Sequence, residues 1–293
     1  MDKIHSIEDI WNESEGKVGP QTFRELLRLG KRIETAERRR RAGRTVLYSF
    51  AVAASLALVA MVTFSLTRSH FSVSPLDSTC NLVAGYGETS SILLEDGTRV
   101  SLNAGSSLLY PESFKEGSRI VYLTGEGNFD VAKDPSRPFI VKTAHMDVQA
   151  LGTSFCVQAY AGERSVRTTL REGKVKVNIP LASGKSYILE PDMQLQYTPS
   201  EKAVSLVRVD AGRVMSWEDG YLSFNNASFP EIVSVLERRF NVSISYNADR
   251  MQRSALNVRF MPDESLKDVL GVLTLLIPGS RYKIEGDRVY YHF

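Results

Sequence analysis

Histidine and cysteine are scarce in this sequence, which holds four His and two Cys among 293 residues. It contains no HExxH, CxxC, P-loop or GxSxG pattern, the spacings that are typical of metalloproteases, thiol or zinc sites, nucleotide-binding loops and serine hydrolases. Its acidic residues occur singly at predicted turns, so they form no calcium-binding loop. The sequence therefore predicts no catalytic residues, no metal site, no cofactor and no enzymatic activity.

One possible nucleophile pair, His145 with Cys156, needs separate consideration. Cys156 lies in an alternating segment between Phe155 and Val157, where a small apolar residue is the ordinary occupant. We therefore predict a structural thiol at this position. The spacing leaves open whether Cys80 and Cys156 form a disulfide or remain two separate buried thiols.

Charge is absent from residues 46–66, a run of 21 residues that also lacks Gly and Pro. A helix of that length spans about 32 Å, which matches a hydrocarbon core of about 30 Å. A cleaved signal peptide has a shorter apolar core near the start of the chain, whereas 45 residues precede this run. The run therefore predicts one transmembrane helix.

Basic residues lie mainly on one side of the uncharged run. The residues before it are Lys31, Arg32, Arg38, Arg39, Arg40, Arg41 and Arg44. Only Arg68 follows the run closely, so the positive-inside rule predicts a cytoplasmic N-terminus and an outer C-terminal part. Because the formal net charge of the chain is only +2, we interpret the Arg run as a membrane flank and expect no direct nucleic-acid binding.

Residues 1–45 have the apolar spacing of two short amphipathic helices, which are separated by Gly19 and Pro20. So small a segment cannot bury its own apolar surface. Its apolar stripes need a partner, which could be each other, the bilayer surface or another protein. A loosely ordered tail is the alternative.

Beyond a predicted juxtamembrane linker at residues 67–80, the apolar period changes to two. About a dozen short predicted strands occur between Leu82 and Val209, separated by turns that contain Gly, Pro, Asp or Asn. The alternation predicts an all-β domain over residues 81–212. A sandwich, a barrel and a short solenoid all fit this pattern.

Residues 218–293 have a mixed pattern, in the order β-α-β-β-α-β-β. Capping boxes are predicted at Ser228 with Glu231 and at Ser265 with Asp268, and each marks the start of a helix. Pro278 and Gly279 end the second helix. The segment therefore predicts a small two-layer α+β domain, so the chain as a whole is multidomain.

Four ordered blocks of the β region resemble the FecR family of membrane-anchored sigma-factor regulators. They lie at residues 94–111, 123–131, 138–143 and 148–157, and they are similar to the family patterns LxDGTxVxLNAxSxLxYP, LxGEAxFxV, PFxVxT and VxxLGTxFxV. Residues 221–293 also resemble the C-terminal domain found in one bacterial branch of that family, which is akin to the short N-terminal domain of secretins and TonB-dependent receptors.

The resemblance implies a protein of the inner membrane with its C-terminal domains in the periplasm. It implies two partners: the signalling domain of an outer-membrane TonB-dependent receptor, and an extracytoplasmic-function sigma factor in the cytoplasm. The signal would pass by domain contact, by staged proteolysis or by strand addition at a sheet edge. The segment before the span is shorter than the usual sigma-binding domain and cannot hold its complete helical bundle.

If the sigma-factor contact persists, we expect the apolar residues of the N-terminal segment to make it. These residues are Trp11, Phe23, Leu26, Leu27 and Ile33. No receptor-contacting residues are predicted. The alternative function is an anchored envelope protein whose β domain binds a glycan or another envelope protein, without a sigma factor.

Overall fold

The computed structural model of the chain describes residues 79–114, 117–180, 185–247 and 255–293, together with residues 58, 59 and 61. The predicted helical segment, nearly all of the predicted span and most of the predicted linker lie outside these residues. Within them, no helix is both long enough and apolar enough to cross a membrane. All the elements below belong to one compact unit, Leu76–Phe293.

In the described residues from Thr79 onward, thirteen strands precede the first helix. They are β1 (Thr79–Ala84), β2 (Ser90–Leu93), β3 (Arg99–Leu102), β4 (Ser106–Pro111), β5 (Arg119–Asp130), β6 (Phe139–Lys142), β7 (Asp147–Ala150), β8 (Ser154–Ala159), β9 (Val166–Glu172), β10 (Val175–Asn178), β11 (Ser186–Leu189), β12 (Met193–Thr198) and β13 (Ala203–Arg208).

Strand β5 belongs to two sheets because it pairs with different neighbours along its 12 residues. Its first half pairs with β4 and β6, in sheet A, which runs β1-β4-β5-β6-β7-β10-β11. Its second half pairs with β3 and β8, in sheet B, which runs β2-β3-β5-β8-β9-β12-β13. The two halves meet at Gly125, whose φ is +101°.

No side chain fits at Gly125, since an added Cβ would lie 2.3 Å from the Ser106 hydroxyl. The sequence Gly125-Glu126-Gly127 predicts a tight corner between two strands, with a positive φ at Gly125. The positive φ is confirmed, whereas the corner between strands is wrong, because all three residues lie inside β5. The first strand described, β1, begins at Thr79.

One apolar cluster lies between the two sheets. Val121 and Val141 of sheet A and Phe155 and Leu170 of sheet B are fully buried in it. Phe129 of sheet B and Phe139 of sheet A pack with their ring centroids 6.2 Å apart. The β domain is therefore a sandwich, one of the three architectures that the alternation allowed.

The remaining elements follow in the order predicted, after two short helices that the sequence analysis missed. They are α1 (Ala211–Met215), a 3₁₀ helix (Ser216–Asp219), β14 (Leu222–Ala227), α2 (Phe229–Phe240), β15 (Ser243–Tyr246), β16 (Leu256–Phe260), α3 (Leu266–Leu276), β17 (Arg281–Glu285) and β18 (Arg288–His292).

The C-terminal domain has two small sheets around its helices. Strand β14 pairs antiparallel with β16, and a second sheet has the order β15-β18-β17, in which β15 and β18 are parallel. Both predicted capping boxes are present. A second apolar cluster, with Ile232, Val269 and Val289 fully buried, fills the domain.

Candidate functional site

The residues predicted to contact a sigma factor, Trp11, Phe23, Leu26, Leu27 and Ile33, all lie outside the described residues. The described part of the chain instead presents a polar junction between the sandwich and the C-terminal domain. We take this junction as the candidate functional site.

The sandwich contributes the outer face of sheet B to the junction. The strand registers align two rows of side chains across this face. One row is Glu126, Gln158, Arg167 and Gln196, and the other is Asn128, Cys156, Thr169 and Gln194. Four of these residues, Glu126, Asn128, Cys156 and Thr169, are buried although they point away from the sandwich core. The face is therefore covered where these four lie.

Helix α2 covers part of this face with a stripe of three side chains, defined as Glu231, Val235 and Arg238. These residues are spaced by four and three, so they share one side of the helix. The helix buries Ile232 and Leu236 in the core of its own domain. One face of α2 thus packs in the core of the C-terminal domain, and another face contacts the sandwich.

Both charged residues of the stripe form ion pairs with the sandwich. Arg167 of β9 donates to the Glu231 carboxylate at 2.5 Å. Arg238 donates to the Glu163 carboxylate at 2.8 Å, with the two side chains only 11% and 18% exposed. The Arg238 guanidinium also lies over the Tyr160 ring, 3.6 Å from its centroid. Such stacking adds a cation–π attraction to the ion pair.

The sandwich side of the stripe is itself hydrogen-bonded. Gln158 donates to Glu163 at 3.1 Å, and Arg167 donates to Gln158 at 3.5 Å and to Gln196 at 3.3 Å. The network therefore runs from one end of the stripe to the other. Glu231 is thus paired directly with the row through Arg167, and Arg238 is linked to the row through Glu163 and Gln158.

Backbone groups also join the two domains. The Gly87 N–H, in the turn between β1 and β2, donates to the Arg238 carbonyl oxygen at 2.7 Å. The Asn128 amide donates to the Met215 carbonyl at 3.1 Å, and the Ala211 N–H donates to the Asp192 carboxylate at 3.2 Å. The residues of helix α1 are thereby bonded to the sandwich.

Glu126 is the buried acid of the junction. Its carboxylate accepts hydrogen bonds from the Asn103 amide at 2.8 Å and from the Cys156 thiol at 3.7 Å. Burial raises the pKa of Glu126, although Asn103 and the Arg238 charge partly oppose the rise. Burial, followed by the charge of Glu126, raises the pKa of both Cys156 and Tyr160. These two groups therefore stay neutral at ordinary pH.

This arrangement does not resemble a catalytic centre. His145 packs against Tyr197, with ring centroids 6.4 Å apart, and the Cys156 thiol hydrogen-bonds Glu126 instead. Both cysteines are free, so the separate-thiol alternative is the one observed. No cluster of metal-ligating side chains occurs in the described part of the chain. The cavity at the junction measures about 20 Å³, room for about one water molecule.

Sequence reasoning singled out two residues of the junction without predicting the junction itself: Glu231 as a helix cap and Cys156 as a structural thiol. Glu126 lies between Gly125 and Gly127, and this step predicted only a corner between strands, so Glu126 was not identified as a junction residue. Arg238 would have been found by asking which side of α2 carries charge at a spacing of seven residues. No local sequence pattern marks Arg167 or Glu163 as junction residues, because their roles depend on which domain lies opposite them.

Comparison with known proteins identifies the two domains. A family model described as FecR protein matches residues 81–176, and one described as FecR, C-terminal, matches residues 221–291. Two crystal structures of a candidate anti-sigma factor from Parabacteroides distasonis are 31% identical to the chain, each with a TM-score of 0.69. They match 72% and 73% of this chain and 98% and 99% of the relative. The chain belongs to the FecR family of anti-sigma factors.

The two FecR matches lie on opposite sides of the junction. Glu126 and Arg167 fall in the first match, and Glu231 and Arg238 fall in the second. The helices α1 and 3₁₀ lie between the matches. The junction is thus the contact between the two FecR-family domains. No curated protein matches the chain.

Proposed function

We propose that the chain is a single-pass inner-membrane regulator that relays the state of an outer-membrane TonB-dependent receptor to an extracytoplasmic-function sigma factor. Residues 1–45 would contact the sigma factor in the cytoplasm, and the two described domains would lie in the periplasm. The observation that carries the proposal is that both FecR-family domains are present, in order, behind a 21-residue uncharged run.

The C-terminal domain offers an edge at which a receptor domain could dock. Strand β17 pairs with β18, and its second edge pairs with no strand among the described residues. Four of its five residues are exposed. An open edge of this kind can accept a strand from a partner, which supports docking of the receptor's signalling domain here.

The sigma-factor part of the proposal is tested on the full-length chain in cells that carry a sigma-dependent reporter. Alanine at Trp11, Leu26 and Leu27 removes the apolar side chains that we expect to contact the sigma factor. We expect reporter transcription to change several-fold, rising if the segment restrains the sigma factor and falling if it assists it. Deleting residues 1–40 should reproduce the change.

The matched control is Gln21→Ala, which changes a polar residue of the same segment and should leave transcription unchanged. Immunoblots establish that all variants reach similar levels. Unchanged transcription after deletion of residues 1–40 would rule out the sigma-factor role. It would favour the anchored envelope module that binds a glycan or another envelope protein.

A further inference from the structure

The two domains do not share an apolar core. Most of the buried apolar residues of the described chain form two separate clusters, one inside the sandwich and one inside the C-terminal domain. Between the clusters lie buried polar groups, among them Glu126 and Asn128, and a few buried apolar side chains, among them Met215 and Trp217. Relative motion of two domains is expected unless a large apolar contact joins them.

The charged contacts across the junction are made by one element, the stripe of α2. Arg238 alone combines the ion pair with Glu163, the stacking on Tyr160 and the carbonyl that accepts from Gly87. At the other end, Glu231 pairs with Arg167 while its second oxygen caps the helix through Ser228. Because α2 is anchored in its own core by its apolar face, it can leave sheet B without unfolding.

We propose that the stripe of α2 is a latch, which holds the C-terminal domain over the outer face of sheet B and opens as a unit with both domains intact. Opening uncovers the row Glu126, Gln158, Arg167 and Gln196. The claim that the receptor drives this opening rests on the proposed function. The claim that the latch exists is independent of the proposed function.

The balance of forces at the junction favours such an opening. A largely buried ion pair gains little net stability, since the attraction is offset by the loss of hydration of both groups. When the domains separate, Arg238, Glu163, Arg167 and Glu231 recover that hydration. An apolar contact of equal area has no such compensation. The closed and open states therefore differ by less free energy than folding of either domain.

Hydrogen–deuterium exchange of the purified full-length chain tests the latch. The reporter is the Gly87 amide, which donates to the Arg238 carbonyl oxygen in the closed state. Arg238→Ala removes the ion pair and the stacking but keeps that carbonyl. We expect exchange at Gly87 to rise about tenfold, while core amides such as that of Val121 keep the wild-type rate.

The matched control is Arg171→Ala, which removes an ion pair with Asp130 at 3.0 Å inside sheet B. It should leave exchange at Gly87 unchanged. Glu163→Gln is a second variant, which keeps the shape of the side chain and loses its charge. Unchanged Gly87 exchange in both Arg238→Ala and Glu163→Gln would overturn the proposal, as would an equal rise in core amides, since that reports global unfolding.

A disulfide across the junction tests the role of opening. A Cβ built at Gly87 would lie 3.5 Å from the Asn241 Cβ, within the range for a disulfide. The double variant Gly87→Cys, Asn241→Cys should therefore lock the latch when oxidised. We expect its Gly87-region exchange to fall below the wild-type rate and receptor-dependent induction of the reporter to be lost.

Each single-cysteine variant is the control for strain, because both positions have positive φ. The single variants, and the double variant after reduction, should regain induction. Full induction by the oxidised double variant would overturn the role of opening in signalling. If the proposed function is itself wrong, no variant affects the reporter, and the exchange measurements still decide whether the latch exists.

Discussion

Asp96 shows why a short FecR sequence block is needed for folding. Its carboxylate accepts from the Thr98 backbone at 3.0 Å and from the Thr98 hydroxyl at 2.7 Å, which closes the turn before β3. It also pairs with Arg119 at 2.6 Å, and neither side chain is more than 4% exposed. The arginine further donates to the carbonyls of Ala132 and Arg137. Asp96 is thus the counterion of a buried cation 23 residues away.

Asp96→Asn should destabilise the protein strongly, because it leaves the buried Arg119 charge without a counterion. Loss of one partner of a buried pair costs about 3–5 kcal/mol. Urea unfolding of the purified chain, followed by circular dichroism, measures the change. The control is Asp130→Asn, whose pair with Arg171 is about half exposed and contributes at most about 1 kcal/mol. Equal losses from the two variants would contradict this role of Asp96.

The raised pKa of Glu126 gives the junction a defined pH dependence. A carboxyl whose folded pKa lies above its usual 4.5 contributes stability below that value, and the contribution is lost as pH rises through the folded pKa. We therefore expect the difference in unfolding temperature between the wild type and Glu126→Gln to shift in favour of the variant above pH 4.5. Thermal unfolding from pH 4 to 8 measures it. A difference independent of pH would show that Glu126 titrates normally.

The start and the apolar face of helix α2 were predicted from the sequence, whereas its contacts with sheet B were not. Its cap and its apolar face follow from local rules, namely the spacing of Ser228 and Glu231 and the period of the apolar residues. Its contact with sheet B depends on which surface lies opposite, and one sequence does not contain that information in local form. The same limit explains why the alternation predicted strands but left sandwich, barrel and solenoid open.

The two capping boxes provide a paired test of this dual role. Ser228→Ala and Ser265→Ala each remove an N-cap hydroxyl, which should cost about 1 kcal/mol. The hydroxyls bond Glu231 at 2.8 Å and Asp268 at 2.6 Å. Of these two acids, Glu231 pairs with the sandwich through Arg167 and Asp268 forms no salt bridge with it. We expect similar losses in thermal stability but faster Gly87 exchange in Ser228→Ala alone. Equal acceleration by Ser265→Ala would contradict the assignment.

For the molecule as a whole, the sequence predicted the parts better than their assembly. The family, the strand-rich region and the order of the C-terminal elements followed from motifs and periodicity. The junction did not, because its ion pairs join residues 64 and 75 positions apart in the chain.

Strand β5 has a consequence for how the sandwich assembles. Since its two halves supply a central strand to each sheet, neither sheet can be completed before β5 is placed. The domain should therefore fold and unfold as a single cooperative unit, with no half-formed sandwich at equilibrium. A peptide bond broken anywhere within β5 would destroy both layers together, so the sandwich cannot be dismantled one sheet at a time.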